Sequence, residues 1–493
     1  MKQQSIFMKT SLGVFLSLSL TLTGCGVEKK EKNSADQVVR FLWSEQAGTQ
    51  AQIKVMNALG EPVAQAHILI GMAENSPFRG NFLDTNNEGI ALIPKEWNAP
   101  AHVTVDADGY IRQTLLDQNP GDIILRLNKA YLSHPAQVTG QVTNLPVTNG
   151  DKLIDFGLVM PALSKADILN FDLDQVISPY TDVLSVAGQQ APLPSNVSLP
   201  TQKENYIFNL TVSKPIYRLM TPTLGAKRFF AARGRFPFKP VVDELRAGKP
   251  FYELLNYFSI LGGGLREVTV LNANTNLDIP GNELEFKNTL QVQTANTNSD
   301  EVLVMLAASQ VADTMIPTDV KKAAGSQSIS LTSLAAQPAF VVSVVKKQSE
   351  FMAKTPGADR MSASIIPYVA GTKQTLLPLV ADPSIRSVDG LIITFPPAPN
   401  MSGINSLASS AVISDLIENQ NGDSKIISTN RRWEILGLGW SKEVRLPLWP
   451  LSNQAAKKRV EINFLGTTSS LPVNLDDSLI QAATHVTHAS TDF

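Results

Sequence analysis

Brief apolar runs that alternate with polar positions, each cut short by Gly, Asn, Asp or Pro, recur from residue 51 almost to the C-terminus. Alternation with period two fits strands with one buried face, and frequent breakers leave no room for long amphipathic helices. Ile53-Lys54-Val55-Met56 runs into the turn Asn57-Ala58-Leu59-Gly60-Glu61-Pro62 and then His67-Ile68-Leu69-Ile70. The turn Asp84-Thr85-Asn86-Asn87-Glu88-Gly89 leads to Ile90-Ala91-Leu92-Ile93, and strands at 102–105 and 122–127 complete a small sandwich over 51–130. A second set of candidate strands, at 340–345, 362–369, 391–395, 425–428, 432–436, 443–446, 460–464 and 485–488, predicts a C-terminal sandwich over 336–493. The middle segment, 131–335, carries strands at 137–142, 206–212, 265–271, 284–292 and 302–307, and a Pro-rich connector at 192–200. Within 240–261, Gly248 and Pro250 separate two short helical patterns, and Gly262-Gly263-Gly264 closes the second. The expected fold is mainly β: serial antiparallel β-sandwich domains with a small helical insertion in the middle one.

Several of these turns also match a known module. Gly60, Pro62, Val63 and Ala66, then Thr85, Gly89 and Ala91, then Gly109-Tyr110, follow the G-x-P-V-x-x-A, T-x-x-x-G-x-A and G-Y order of the carboxypeptidase regulatory-like, or transthyretin-like, domain. Residues 51–129 resemble that family. The resemblance implies a transthyretin-like sandwich in a stalk or accessory role, while the strand pattern of the last segment predicts an immunoglobulin-like one.

Composition narrows the function classes. Across 493 residues, 42 Lys and Arg meet 44 Asp and Glu, which argues against a body that binds nucleic acid. One cysteine allows no disulfide framework, thiolate zinc cluster or redox pair. That cysteine ends a leader. Lys2 and Lys9 precede the uncharged run 11–22, too short to cross a bilayer, and Leu22-Thr23-Gly24-Cys25 follows. These four residues resemble the bacterial lipobox. The resemblance implies a signal peptide over 1–24, cleavage before Cys25, acyl chains on that residue, and, with Gly26 next, delivery to the outer membrane. Residues 25–50 are then the lipidated cysteine and its tether, whose start, GVEKKEKNSAD, is polar and charged.

Chemistry is harder to find. No G-x-S-x-G, H-E-x-x-H or G-x-x-x-x-G-K-[ST] motif occurs, and neither a cofactor nor a metal is expected. Asp84, Asn86, Glu88 and Gly89 imitate the start of a calcium loop, but the position that needs Glu holds Lys95, so a hairpin turn is expected. His485 and His488 are expected to face opposite ways on a strand. Ser343-Val344-Val345-Lys346 has the S-x-x-K spacing, yet it follows a β-branched run and lacks the motif's partners. The stretch 227–239 interleaves Lys227, Arg228, Arg233, Arg235 and Lys239 with four Phe and no acid. It is either a grip for a polyanion, centred on Arg228, Arg233 and Arg235, or an ordinary strand with its Phe in the core. Of Trp433, Trp440 and Trp449, at least one is expected in the core, with Trp440 and Trp449 as the exposed pair able to stack on a glycan. The expected function is a membrane-anchored envelope lipoprotein, not an enzyme, acting as a structural or ligand-binding and adhesive module. Its partners are the bilayer through Cys25 and a glycan or polyanion ligand. The alternative is an envelope hydrolase or glycan-processing enzyme using acids such as Asp167, Asp172, Asp174, Asp243 or Glu244.

Overall fold

Alternation along the first segment becomes two facing sheets. The structure is a computed structural model that describes residues 50–493, apart from 58, 73–82, 131–135, 146–151, 163–164, 166–182, 187–188, 193–205, 210–215, 222, 272–273, 313, 352–359, 372, 388–389, 422–423, 448–456 and 471–472. The first seven strands are β1 (Gln52–Asn57), β2 (His67–Ile70), β3 (Leu83–Asp84), β4 (Ile90–Leu92), β5 (Ala101–Asp106), β6 (Arg112–Gln118) and β7 (Ile123–Leu127). β4-β1-β7 form one sheet, and β6-β5-β2-β3 form part of another. Along β7, Ile123, Leu125 and Leu127 are buried while Ile124 and Arg126 face solvent. The inward residues meet Ile53, Val55, Ile68, Ile70, Val103 and Val105 in one core.

Thr85 locks the turns of this module together. Its hydroxyl donates to Val63 O at 2.7 Å and accepts from Ala66 N at 2.8 Å. Gly89 has φ of 72°, and a Cβ there would collide with the carbonyl of Val55. The Gly, Thr and Ala positions of the sequence motif are therefore turn and packing positions.

The middle segment supplies β8 (Ala136–Thr143), β9 (Leu153–Pro161), β10 (Val183–Val186), β11 (Gln189–Pro192), β12 (Tyr206–Asn209), β13 (Ile216–Thr221) and β14 (Gly225–Pro237). Helices α1 (Phe238–Arg246) and α2 (Phe251–Leu254) follow, then β15 (Ser259–Val270), β16 (Thr275–Asn276), β17 (Ile279–Pro280) and β18 (Leu284–Gln293). The remainder holds β19 (Glu301–Val311), β20 (Thr314–Ala323), β21 (Ser328–Leu334), β22 (Ala339–Lys347), α3 (Gln348–Phe351) and β23 (Met361–Pro367). After these come β24 (Ser384–Ser387), β25 (Leu391–Thr394), β26 (Asn405–Asn421), β27 (Ser424–Leu438), β28 (Glu443–Leu446), β29 (Lys458–Thr467), α4 (Asp477–Ala482) and β30 (His485–Asp492). The protein is mainly β, with sandwich modules and few short helices.

A six-stranded sheet, β12-β9-β14-β15-β18-β21, faces β13-β8-β16 across a core of Val138, Val142, Val159, Phe229, Ala231 and Ile279. The last segment belongs to a twelve-stranded sheet, β20-β19-β22-β23-β30-β29-β26-β27-β6-β5-β2-β3. Against it lies β24-β25-β28, whose Leu391, Ile393, Val444 and Leu446 meet Ile413, Trp433, Ile435 and Phe464.

Three sequence expectations change. The boundary expected at 336 is bridged, because β19, which starts at Glu301, pairs with β22 from Glu301↔Lys347 to Ser309↔Ala339. The Gly262-Gly263-Gly264 run does not close a helix but lies inside β15, where a Cβ would strike the carbonyls of Leu284, Ala231 and Pro280 in turn. Strands expected at 425–428 and 432–436 are one, β27, paired along its length with β26, a strand the sequence reading missed. Ser409, Ala411, Ile413 and Ser414 of β26 are all buried, so a strand covered on both faces shows no alternation.

Candidate functional site

The cationic stretch forms β14 and the start of α1. β14 lies between β9 and β15, and both of its faces are covered over Phe229–Ala232, so aromatic residues serve as core on either side. Phe229 enters the core shared with β8, Phe230 packs with Phe286 and Ile316, and Phe236 lies 5.1 Å from the ring of Phe258. None of the three is available to stack on a ligand; Phe238 is half-buried.

Neighbouring strands supply the acids that the stretch lacks. Arg228 sits directly opposite Glu267, with Nε 2.9 Å from Glu267 Oε2, and its Nη1 donates to Thr314 Oγ1 at 3.0 Å. Arg235 sits opposite Asp155 and donates from Nε to Oδ1 at 2.7 Å. Asp155 is fully buried, and the hydrogen bond to it raises the pKa of the Arg235 guanidinium. Lys239 pairs with Asp243 one helical turn on, and Lys227 donates to Thr223 Oγ1. Arg233 differs from the others. It is half-buried, and its Nε is enclosed with no hydrogen-bond partner among the described residues. Asp155, a lone acid between Ile154 and Phe156, was the one signal in the sequence for this arrangement.

Trp433 is in the core, its Nε1 donating to Thr114 Oγ1 at 2.8 Å with the Arg112 guanidinium 4.8 Å from the ring centroid. Trp440, expected as an exposed stacking face, is half-buried instead. Its Nε1 donates to Leu465 O at 2.7 Å and its ring meets Phe464 edge to face at 5.9 Å, which draws the indole into the sandwich. Trp449 and Cys25 lie outside the described residues, as do Asp167, Asp172 and Asp174. Of the remaining acids proposed for hydrolysis, Asp243 is 2.6 Å from Lys239 and Glu244 is 2.7 Å from Lys249.

The calcium-like loop is a hairpin turn. Asp84 Oδ1 accepts from His67 Nδ1 at 2.6 Å, and Asn86 Oδ1 accepts from the backbone of Glu88 and Ile90. Ser343 is buried in β22, as the strand reading expects. It stands in a row with Ser364 and His485 across β22, β23 and β30. His485 Nε2 is 2.9 Å from Thr375 Oγ1 and Nδ1 is 2.8 Å from Thr484 Oγ1; burial lowers its pKa to about 4. Three residues on, His488 contacts Asn463 Oδ1 at 2.9 Å on the opposite face. Among the described residues no group of three or more His, Cys, Asp or Glu is placed to hold a metal, and no helix is long and apolar enough to cross a membrane.

No family model matches the chain, and no curated protein matches it. Among solved structures, a Streptococcal ancillary pilin aligns over 71% of this chain and 95% of its own, at 8% identity and a TM-score of 0.14. A likeness at that level carries no argument about fold or function.

Proposed function

We propose that the chain is a cell-envelope lipoprotein, held at the outer membrane by acyl chains on Cys25, whose β body is a non-enzymatic structural and ligand-binding element. The observation that carries the structural part is the strand pair β6–β27, from Trp433↔Arg112 to Leu436↔Leu115, which makes the first and last modules share one sheet. A shared hydrogen-bonded sheet resists bending where a flexible linker would not, and that suits a spacer or scaffold. The address rests on the lipobox-like Leu22-Thr23-Gly24-Cys25. Each buried acyl CH₂ contributes about 0.8 kcal/mol, so several chains hold a protein firmly where one is marginal. The polar run after Cys25 sets the body off the lipid, and a glycan or polyanion is the class of ligand that the later modules meet.

Cys25→Ala is expected to move the protein from the membrane to the soluble fraction; a variant that still pellets with membranes overturns the anchor. Protease shaving of intact cells, read by an epitope tag after Phe493, then reports which side of the membrane the body faces. Loss of the tag means an outward-facing protein and directs the ligand search to glycans and neighbouring cells; protection means an inward-facing one.

A further inference from the structure

Residues 229, 231, 233 and 235 share one face of β14. The first two, Phe229 and Ala231, fill the core against β8, and Arg233 and Arg235 continue the row beyond it. Arg233 stands opposite Gly157 on β9 and Gly262 on β15, so its side chain leaves the sheet between two positions that have none. A Cβ at 262 would sit 3.4 Å from Arg233 Nη2, which places the guanidinium over that glycine. The register between β14 and β15 also shifts at Arg233/Gly234, a bulge of the kind that re-aims a side chain.

Charge around this slot is not balanced. Arg235 is held by Asp155. Glu285, opposite Gly262 on β18, is close enough for Arg233 to favour its ionised form, but its carboxylate pairs first with Lys287. Three cations thus face two carboxylates, and the guanidinium of Arg233 has no hydrogen-bonded acid among the described residues. A guanidinium offers parallel N–H donors that match the two oxygens of a carboxylate or phosphate, a geometry that lysine lacks.

We infer that Arg233, floored by Gly157 and Gly262 and flanked by Arg235, is a binding site for a single oxyanion group, the carboxylate or phosphate of an acidic ligand. This deepens the ligand-binding part of the proposed function and is independent of the anchor. Glu285 sets the charge tolerance of the site, favouring a group of one negative charge over one of two.

The test is calorimetric titration of the full chain carrying Cys25→Ala, with sodium glucuronate as the carboxylate probe and inorganic phosphate as the other. At least one probe is expected to bind, and the stronger identifies the source. Arg233→Gln is expected to weaken that binding about tenfold or more, while Arg228→Gln, the same charge change at a paired cation, shifts it less than about twofold. Glu285→Gln leaves Arg233 in place and is expected to tighten phosphate by about threefold, so it carries the test if Arg233→Gln does not fold. Binding of neither probe, or equal losses from Arg233→Gln and Arg228→Gln, overturns the site. Neither result touches the anchor, which fractionation of Cys25→Ala reports separately.

Discussion

His485 shows how one buried side chain makes stability depend on pH. Its ring is fully buried, and both nitrogens meet threonine hydroxyls rather than an acid. Burial lowers its pKa to about 4 from the ordinary 6.5, so the folded state prefers the neutral ring. Between those values the unfolded chain takes up a proton that the folded chain refuses. Stability is therefore full above pH 6.5 and falls as the pH drops toward about 4, by up to about 3 kcal/mol. Urea denaturation across that range is expected to show the slope, and His485→Gln to flatten it; an unchanged slope assigns the effect to other groups. The sequence placed His485 on a strand, with His488 facing the other way. It did not reveal the segment 374–378, which hydrogen-bonds to Ser343, His485 and Thr487 and encloses that face. Burial of this kind comes from a contact 110 residues distant and leaves no local pattern.

At the scale of elements, the start of β15, before the strand expected at 265–271, and the whole of β26 were missed for related reasons. Period-two alternation is visible only where one face meets solvent, as in β7, whereas the glycine run of β15 and the buried run of β26 are covered on either side. In β15 three glycines stand where carbonyls of Leu284, Ala231 and Pro280 approach too closely for any side chain, so residues that usually break elements here permit one. The two short helices were legible because Gly248 and Pro250 punctuate them regardless of tertiary context. Gly264→Ala is expected to force the Pro280 backbone aside and cost about 1–3 kcal/mol. Gly121→Ala, where a Cβ meets nothing within 4 Å, is the matched control and is expected to stay within about 0.5 kcal/mol of the parent. Thermal unfolding of both variants decides it, and equal midpoints would mean that β17 approaches β15 less closely.

For the whole molecule, the decisive contact is the one that sequence order hides. Serial sandwiches suggest separable beads, yet β6 and β27 lie side by side in parallel, and the Trp433 indole bonds to Thr114 across 319 residues. Without β27, the first module would present the edge of β6 to solvent, together with the unpaired backbone groups that invite aggregation. A corner joins the other end of the sheet to the middle segment. Thr318 and Thr332 each donate a hydroxyl to the other's carbonyl, and Asp319 Oδ2 accepts from Thr332 N at 2.8 Å. These joints predict cooperative behaviour. Amides of residues 112–115 are expected to exchange with solvent as slowly as those of 433–436, because both are released only when the shared sheet opens. Residues 50–130 alone are expected to show no cooperative thermal transition, since their outer sheet has lost its neighbour. An independent transition for that fragment, with fast exchange at 112–115 in the full chain, would make β6–β27 a contact of convenience and return the protein to a string of separate modules. Slow exchange makes the first and last modules one mechanical unit, so that a pull applied to the first module reaches the last through backbone hydrogen bonds rather than through a linker.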